Sequence, residues 1–265
     1  MDHLVPASSP EHALDEVRRA AGFLTVRETA ALAPRVAVLD PGSVLVGRGV
    51  VLADDVVLYP GVVLETRGSG CVEVGAGARL GPGAVGVVAD GGTVRIGAHA
   101  QIGPGAVTIT ASEGADVVVG AGGRVLGGAQ VEGPAQIGDG AQVLGSVAVR
   151  DVVLDGGGTH AEPDPDRRGA VVKGAGRVHG ARLAVGEVVA VGAGPWVVER
   201  QRAYHPGAAG EPGGAGDSGG AGDPGAAAGA GAGTAADAGT AADAGAAAAG
   251  DVAVSQDAAC RSRNA

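Results

Sequence analysis

From residue 119 to residue 149 an aliphatic side chain returns at every sixth position: Val119, Val125, Val131, Ile137, Val143 and Val149. The places between are mostly glycine, alanine and polar residues, as in Ile137-Gly138-Asp139-Gly140-Ala141-Gln142. This period fits neither the turn of an α-helix nor the two-residue alternation of a half-buried strand. It suits a chain that turns a corner about every six residues. The aliphatic residue points inward, and glycine supplies corner dihedrals that a Cβ would disfavour. The pattern predicts an all-β protein built as a parallel β-helix.

Toward the N-terminus, Val46, Leu52, Leu58 and Leu64 keep the same step. Longer jumps then separate Leu64 from Val74, Gly86 from Ile96, and Thr108 from Val119. Aligning the jumps stacks the coils into a triangular prism with three inward ladders. The first two are Leu52, Val74, Ile96, Val119, Ile137 and Leu58, Leu80, Ile102, Val125, Val143. The third, weaker one is Leu64, Gly86, Thr108, Val131, Val149, with Ala84, Ala106 and Ala129 as small inward positions. In this register Val63, Val85 and Val107 form an outward apolar column, expected at a subunit interface. Each buried aliphatic contributes roughly 1.5–3 kcal/mol. Ordering each residue's backbone costs about 1–2 kcal/mol. One coil therefore cannot stand alone, and the stack must be cooperative.

Flanking segments break the period. Ser9-Pro10 opens a predicted short helix through Ala21, with Ser as cap and Pro at the first helical position. Thr25-Val26-Arg27-Glu28 reads as a capping box before a second helix that Pro34 ends. Residues 1–43 are thus expected to cover one end of the prism, and residues 44–206 to form it. After Leu154 the six-step stops for an insertion, 155–171, and resumes at Val172. Residues 207–265 are rich in Gly, Ala and Asp without periodic aliphatics, and are expected to form a disordered tail.

Residues 44–154 resemble the hexapeptide-repeat left-handed β-helix superfamily. The resemblance is clearest in Ile96-Gly97-Ala98-His99-Ala100-Gln101-Ile102-Gly103-Pro104-Gly105-Ala106-Val107. A weaker match runs to about residue 200. There Gly194-Pro195-Trp196 resembles the closing segment of hexapeptide acyltransferases, with Trp196 where a small residue is usual. The left hand is implied by the resemblance. The period alone also suits a right-handed coil, and parallel crossovers are otherwise nearly always right-handed.

The resemblance implies a homotrimeric, CoA-dependent acyltransferase acting on a small-molecule or sugar-derived acceptor. It also implies an extended loop that reaches a cleft between subunits, where a histidine acts as general base. His160 is the candidate, with Glu162 or Asp155 as orienting carboxylate. An imidazole has an ordinary pKa of about 6.5, close to the working pH of such a base. Lys173 and Arg177 are candidates for the phosphates of acyl-CoA. Because the break follows Val149, the loop is expected at the same corner as the shorter jumps. The same residues also read as a solvated turn with a stiff Asp-Pro-Asp run. A non-catalytic trimeric scaffold or binding module therefore stands beside the enzyme. A stacked three-histidine zinc site is not expected, since Gly77 and Gly122 lie one coil from His99.

Composition narrows the function classes. Only 2% of residues are aromatic, so the core is aliphatic. Gly is 52 of 265 residues, without the strict third-residue repeat of collagen. The net charge of −10 and the absence of a basic patch argue against nucleic acid and anionic membranes as partners. There is no apolar run of about eighteen residues and no basic-then-apolar start, so a cytoplasmic protein is expected. Cys71 and Cys260 suggest neither a disulfide framework nor a metal motif.

Overall fold

The computed structural model describes residues 10–205; the expected disordered tail lies outside them. Those residues form two short helices and a left-handed parallel β-helix. Its first face runs from Ala37–Val38 through the Val57, Arg79, Gln101, Arg124, Gln142 and Val171 rungs to Val188. Leu58, Leu80, Ile102, Val125, Val143, Val172 and Val189 stack inward on it, each 0% exposed. The third face stacks Leu52, Val74, Ile96, Val119, Ile137, Leu154 and Leu183 in the same way. Both ladders follow the expected register. The stack already begins at Ala37, before residue 44.

The second face differs from expectation by one residue in two coils. Its inward ladder is Val46, Leu64, Val87, Ile109, Val131, Val149, Val178. Gly86 and Thr108 therefore face outward. The corners Gly81-Pro82-Gly83-Ala84 and Gly103-Pro104-Gly105-Ala106 each absorb one extra residue. Their glycines at 81, 83, 103 and 105 take φ of +106°, +107°, +97° and +112°. A one-residue slip exchanges the two faces of a strand. This register buries Val87 and Ile109, both 0% exposed, in place of a glycine and a hydroxyl. Val85 and Val107 are consequently core residues, each 1% exposed. Ala84 and Ala106 are exposed. The expected valine interface is thus corrected: the outward column reads Val63, Gly86, Thr108, Gln130, Ala148, Arg177.

The insertion 155–171 also leaves from a different corner than expected. The coil completes its third face, from Val149 to Leu154, through a shortened corner where Asp151 takes φ +50°. The loop then departs between the third and first faces, beside the corners Gly120-Ala121-Gly122 and Gly138-Asp139-Gly140. The shorter insertions lie one corner away, between the second and third faces.

The two ends are closed differently. α1 (Pro10–Ala20) and α2 (Val26–Ala30) cover the first coil. The capping box is present, with Glu28 N donating to Thr25 Oγ1 at 3.1 Å and Thr25 N to Glu28 Oε2 at 2.8 Å. Arg18, only 4% exposed, ties α1 to the prism by donating to the carbonyls of Val44 and Pro41 at 3.2 and 3.3 Å. At the other end Val198–Arg200 turns back antiparallel against Glu187–Val189. Trp196 packs half-buried against the core, whereas Tyr204 is exposed. Cys71 is buried. No described helix is long and apolar enough to cross a membrane.

The register has a direct test. Ile109→Asp puts an unpaired charge into a fully buried column, costing several kcal/mol, and is expected to prevent soluble expression. Thr108→Asp, one residue away but outward, is expected to change the melting temperature by only a few degrees. Expression trials and thermal melts of the two variants check this; the opposite ranking would restore the uncorrected ladder.

Candidate functional site

The 155–171 loop has a narrow, hydrogen-bonded neck. Gly157 N donates to Asp139 O at 2.8 Å, Gly158 N to Arg167 O at 2.7 Å, and Ala170 N to Asp155 O at 2.9 Å. Glycine is required at 157, since a Cβ there would lie 2.6 Å from Arg167 O. Beyond the neck Pro165–Arg167 forms a single 3₁₀ turn, capped by the Asp164 side chain accepting from Asp166 N at 3.1 Å. Arg168 Nε donates back to Glu162 O at 2.6 Å. This leaves Thr159-His160 at the tip. The Thr159 methyl lies against the Gly122 corner, where a Cβ would be 3.1 Å from it.

The closing segment clasps this loop. Arg202 bridges Asp166 and Asp164 at 2.6 and 2.5 Å, and Arg200 meets Asp166 at 3.3 Å. These pairs are half-exposed and contribute little individually. The buried element is Gln201, 5% exposed, whose amide donates to Gly169 O at 2.8 Å and Glu187 O at 3.2 Å. Arg168 also meets His205 at 3.1 Å. Gln201 and Arg202 were not among the candidates from sequence. The available signal was charge spacing: acids at 164 and 166 match arginines at 200 and 202.

His160 is exposed. Partial burial, then the positive charges of Arg124 and Arg168, hold its pKa below the ordinary imidazole range. At neutral pH the ring is therefore the free base. Glu162 shares the loop, but its carboxylate accepts from Asp164 N at 3.2 Å. Among the described residues no hydrogen bond joins Glu162 or Asp155 to His160. Lys173 projects from the first face and stacks its ammonium over the Tyr204 ring, 3.5 Å from the centroid. Arg177 projects from the second face. His160 and Glu162 thus share one loop without a hydrogen bond between them, while Lys173 and Arg177 stand on separate faces.

Arg177 lines a trough of about 460 Å³ on the second face. Its other polar walls are Thr108, Thr110, Gln130, Glu132, Arg150 and His179. Among the described residues no cluster of three or more His, Cys, Asp or Glu side chains is placed to hold a metal ion.

The six-residue step, the three continuous ladders and the left-handed coil together settle the architecture. The chain is a left-handed parallel β-helix. No family model matches this β-helix, and no curated protein matches it. Among solved structures it is similar to an Arabidopsis UDP-N-acetylglucosamine acyltransferase at 15% identity and a TM-score of 0.27. That match covers 63% of this chain and 73% of the other.

Removing one neighbouring positive charge is expected to raise the pKa of His160. In a proton NMR titration the His160 ring should titrate below the ordinary 6.5, and Arg124→Gln should move its midpoint upward. A wild-type midpoint at or above 6.5, or no shift in the variant, would refute this electrostatic environment.

Proposed function

We propose that this β-helix is an acyltransferase that carries an acyl group from acyl-CoA to a hydroxyl or amine of a small or sugar-derived acceptor. The observation that carries this reading is the anchored loop presenting a free-base imidazole beside Arg124 and Arg168. In the proposed reaction His160 takes the acceptor's proton as its oxygen or nitrogen attacks the thioester carbonyl. The tetrahedral intermediate then collapses, the carbon–sulfur bond breaks, and the imidazolium returns the proton to the departing thiolate. The ester or amide and free CoA are the products. Positive neighbours make the imidazolium the stronger acid for the second transfer and favour the negative charge that develops on the carbonyl oxygen.

The proposal includes a homotrimer, in which the loop tip of one copy faces the coils of the next. Lys173 and Arg177, on different faces, would meet CoA phosphates only from different directions. Glu162 is engaged with its own loop, so its orienting role requires it to release Asp164 N. One observation favours a second reading, a non-catalytic trimeric scaffold or binding module. That observation is that, among the described residues, no carboxylate is hydrogen-bonded to His160.

Isothermal titration with acetyl-CoA, followed by acyl-transfer assays over a panel of sugar-derived acceptors, separates the two. The enzyme reading expects acetyl-CoA to bind, and His160→Ala to lower the rate by about 10²- to 10⁴-fold with affinity for acetyl-CoA retained. A wild-type protein that binds no acyl-CoA at millimolar concentration leaves the scaffold reading in place.

A further inference from the structure

The trough on the second face has a structural cause independent of the His160 loop. The corner after this face shortens abruptly along the stack. It spans Ile109 to Val119 in one coil, then Val131 to Ile137, Val149 to Leu154, and Val178 to Leu183. The longer corner stands further from the axis, so the coils beyond it lie in its lee. Within the outward column Gln130 and Arg177 flank Ala148, whose short side chain leaves the floor open between two long ones. The parallel column reads Thr110, Glu132, Arg150, His179. On the other side the floor runs on to Ser146 and the glycine corner at Gly128 and Gly176, where little more than backbone is presented.

The charges inside the trough are unequal. Glu132 is neutralised by Arg150 at 3.2 Å, and Asp151 at the rim is held by Arg182 at 2.8 Å. Arg177 and His179 are exposed; His179 faces the Asp151 carboxylate, whereas among the described residues Arg177 has neither a hydrogen bond nor an ion pair. Thr108, Thr110 and Gln130 add neutral donors and acceptors on adjacent rungs. With rungs about 4.8 Å apart, Thr108 and Arg177 are separated by roughly 14 Å along the face.

We propose that this trough binds a small anionic ligand carrying a phosphate or carboxylate on a hydroxyl-bearing body. The anion sits on Arg177, and the body crosses Thr108, Thr110 and Gln130. A guanidinium without a protein partner is suited to a forked, charge-assisted contact with either anion. The site goes beyond acyl transfer and does not rest on the His160 loop, because it lies on the face opposite the corner that carries His160; it assigns Arg177 to this ligand and not to the phosphates of acyl-CoA.

Isothermal titration of the wild-type protein with glucose 1-phosphate, glucuronate, AMP and uncharged glucose tests this. At least one of the three anionic probes is expected to bind with a millimolar or tighter Kd, and glucose more weakly. The pattern among them identifies a sugar phosphate, a uronate or a nucleotide as the source. Arg177→Gln should weaken that probe by about tenfold or more, and Gln130→Ala by a smaller factor. His160→Ala should leave it unchanged, so this result is separable from the fate of the acyltransferase reading. The proposal is overturned if no anionic probe binds at about 10 mM, if glucose binds as tightly as its phosphate, or if Arg177→Gln has no effect.

Discussion

Everything in this molecule depends on three columns of aliphatic side chains kept in register along one axis. Each coil offers few large apolar residues, so its own burial does not offset the entropy of ordering it. Stacked, the same residues close every inward gap: Leu58, Leu80, Ile102 and Val125 form one continuous row without accessible surface. Register is therefore the property that stability selects. Corners, loops and caps are accommodated wherever they leave the rows intact.

That priority explains what was legible from residues alone. Two ladders, the capping box at Thr25 and the break after Leu154 follow from local patterns whose period or spacing is unambiguous. The second face was misread at Gly86 and Thr108 because a constant six-residue step was carried through corners that hold one residue more. Val87 and Ile109 were visible in the sequence, but only the demand for continuous burial ranks them above their neighbours. The corner of the 155–171 loop was misplaced for a related reason. The shortened corner at Asp151 completes a face in fewer residues than the period allows.

The candidate chemistry was less legible, because it depends on contacts between distant segments. His160 was identifiable as a lone imidazole in a polar loop. Its cationic surroundings come from Arg124, on a coil far earlier in the chain, and Arg168, at the loop's return. Lys173 and Arg177 are four residues apart in sequence, yet a corner between them sends their side chains from two faces. The clasp of Gln201 and Arg202 on the loop likewise joins segments with no periodic relation.

A parallel coil has no natural length: each rung offers the next the same hydrogen-bonding edge, so an uncapped stack is a template for continued growth. The antiparallel return of Val198–Arg200 breaks that sameness, since it meets the last rung in the opposite direction. An incoming parallel coil finds that edge already occupied by a strand of the wrong polarity. At the other end Arg18 and the two helices occupy the first coil with backbone of a different kind. The non-repeating segments therefore make a finite particle out of a repeating one, and prevent end-to-end fibres.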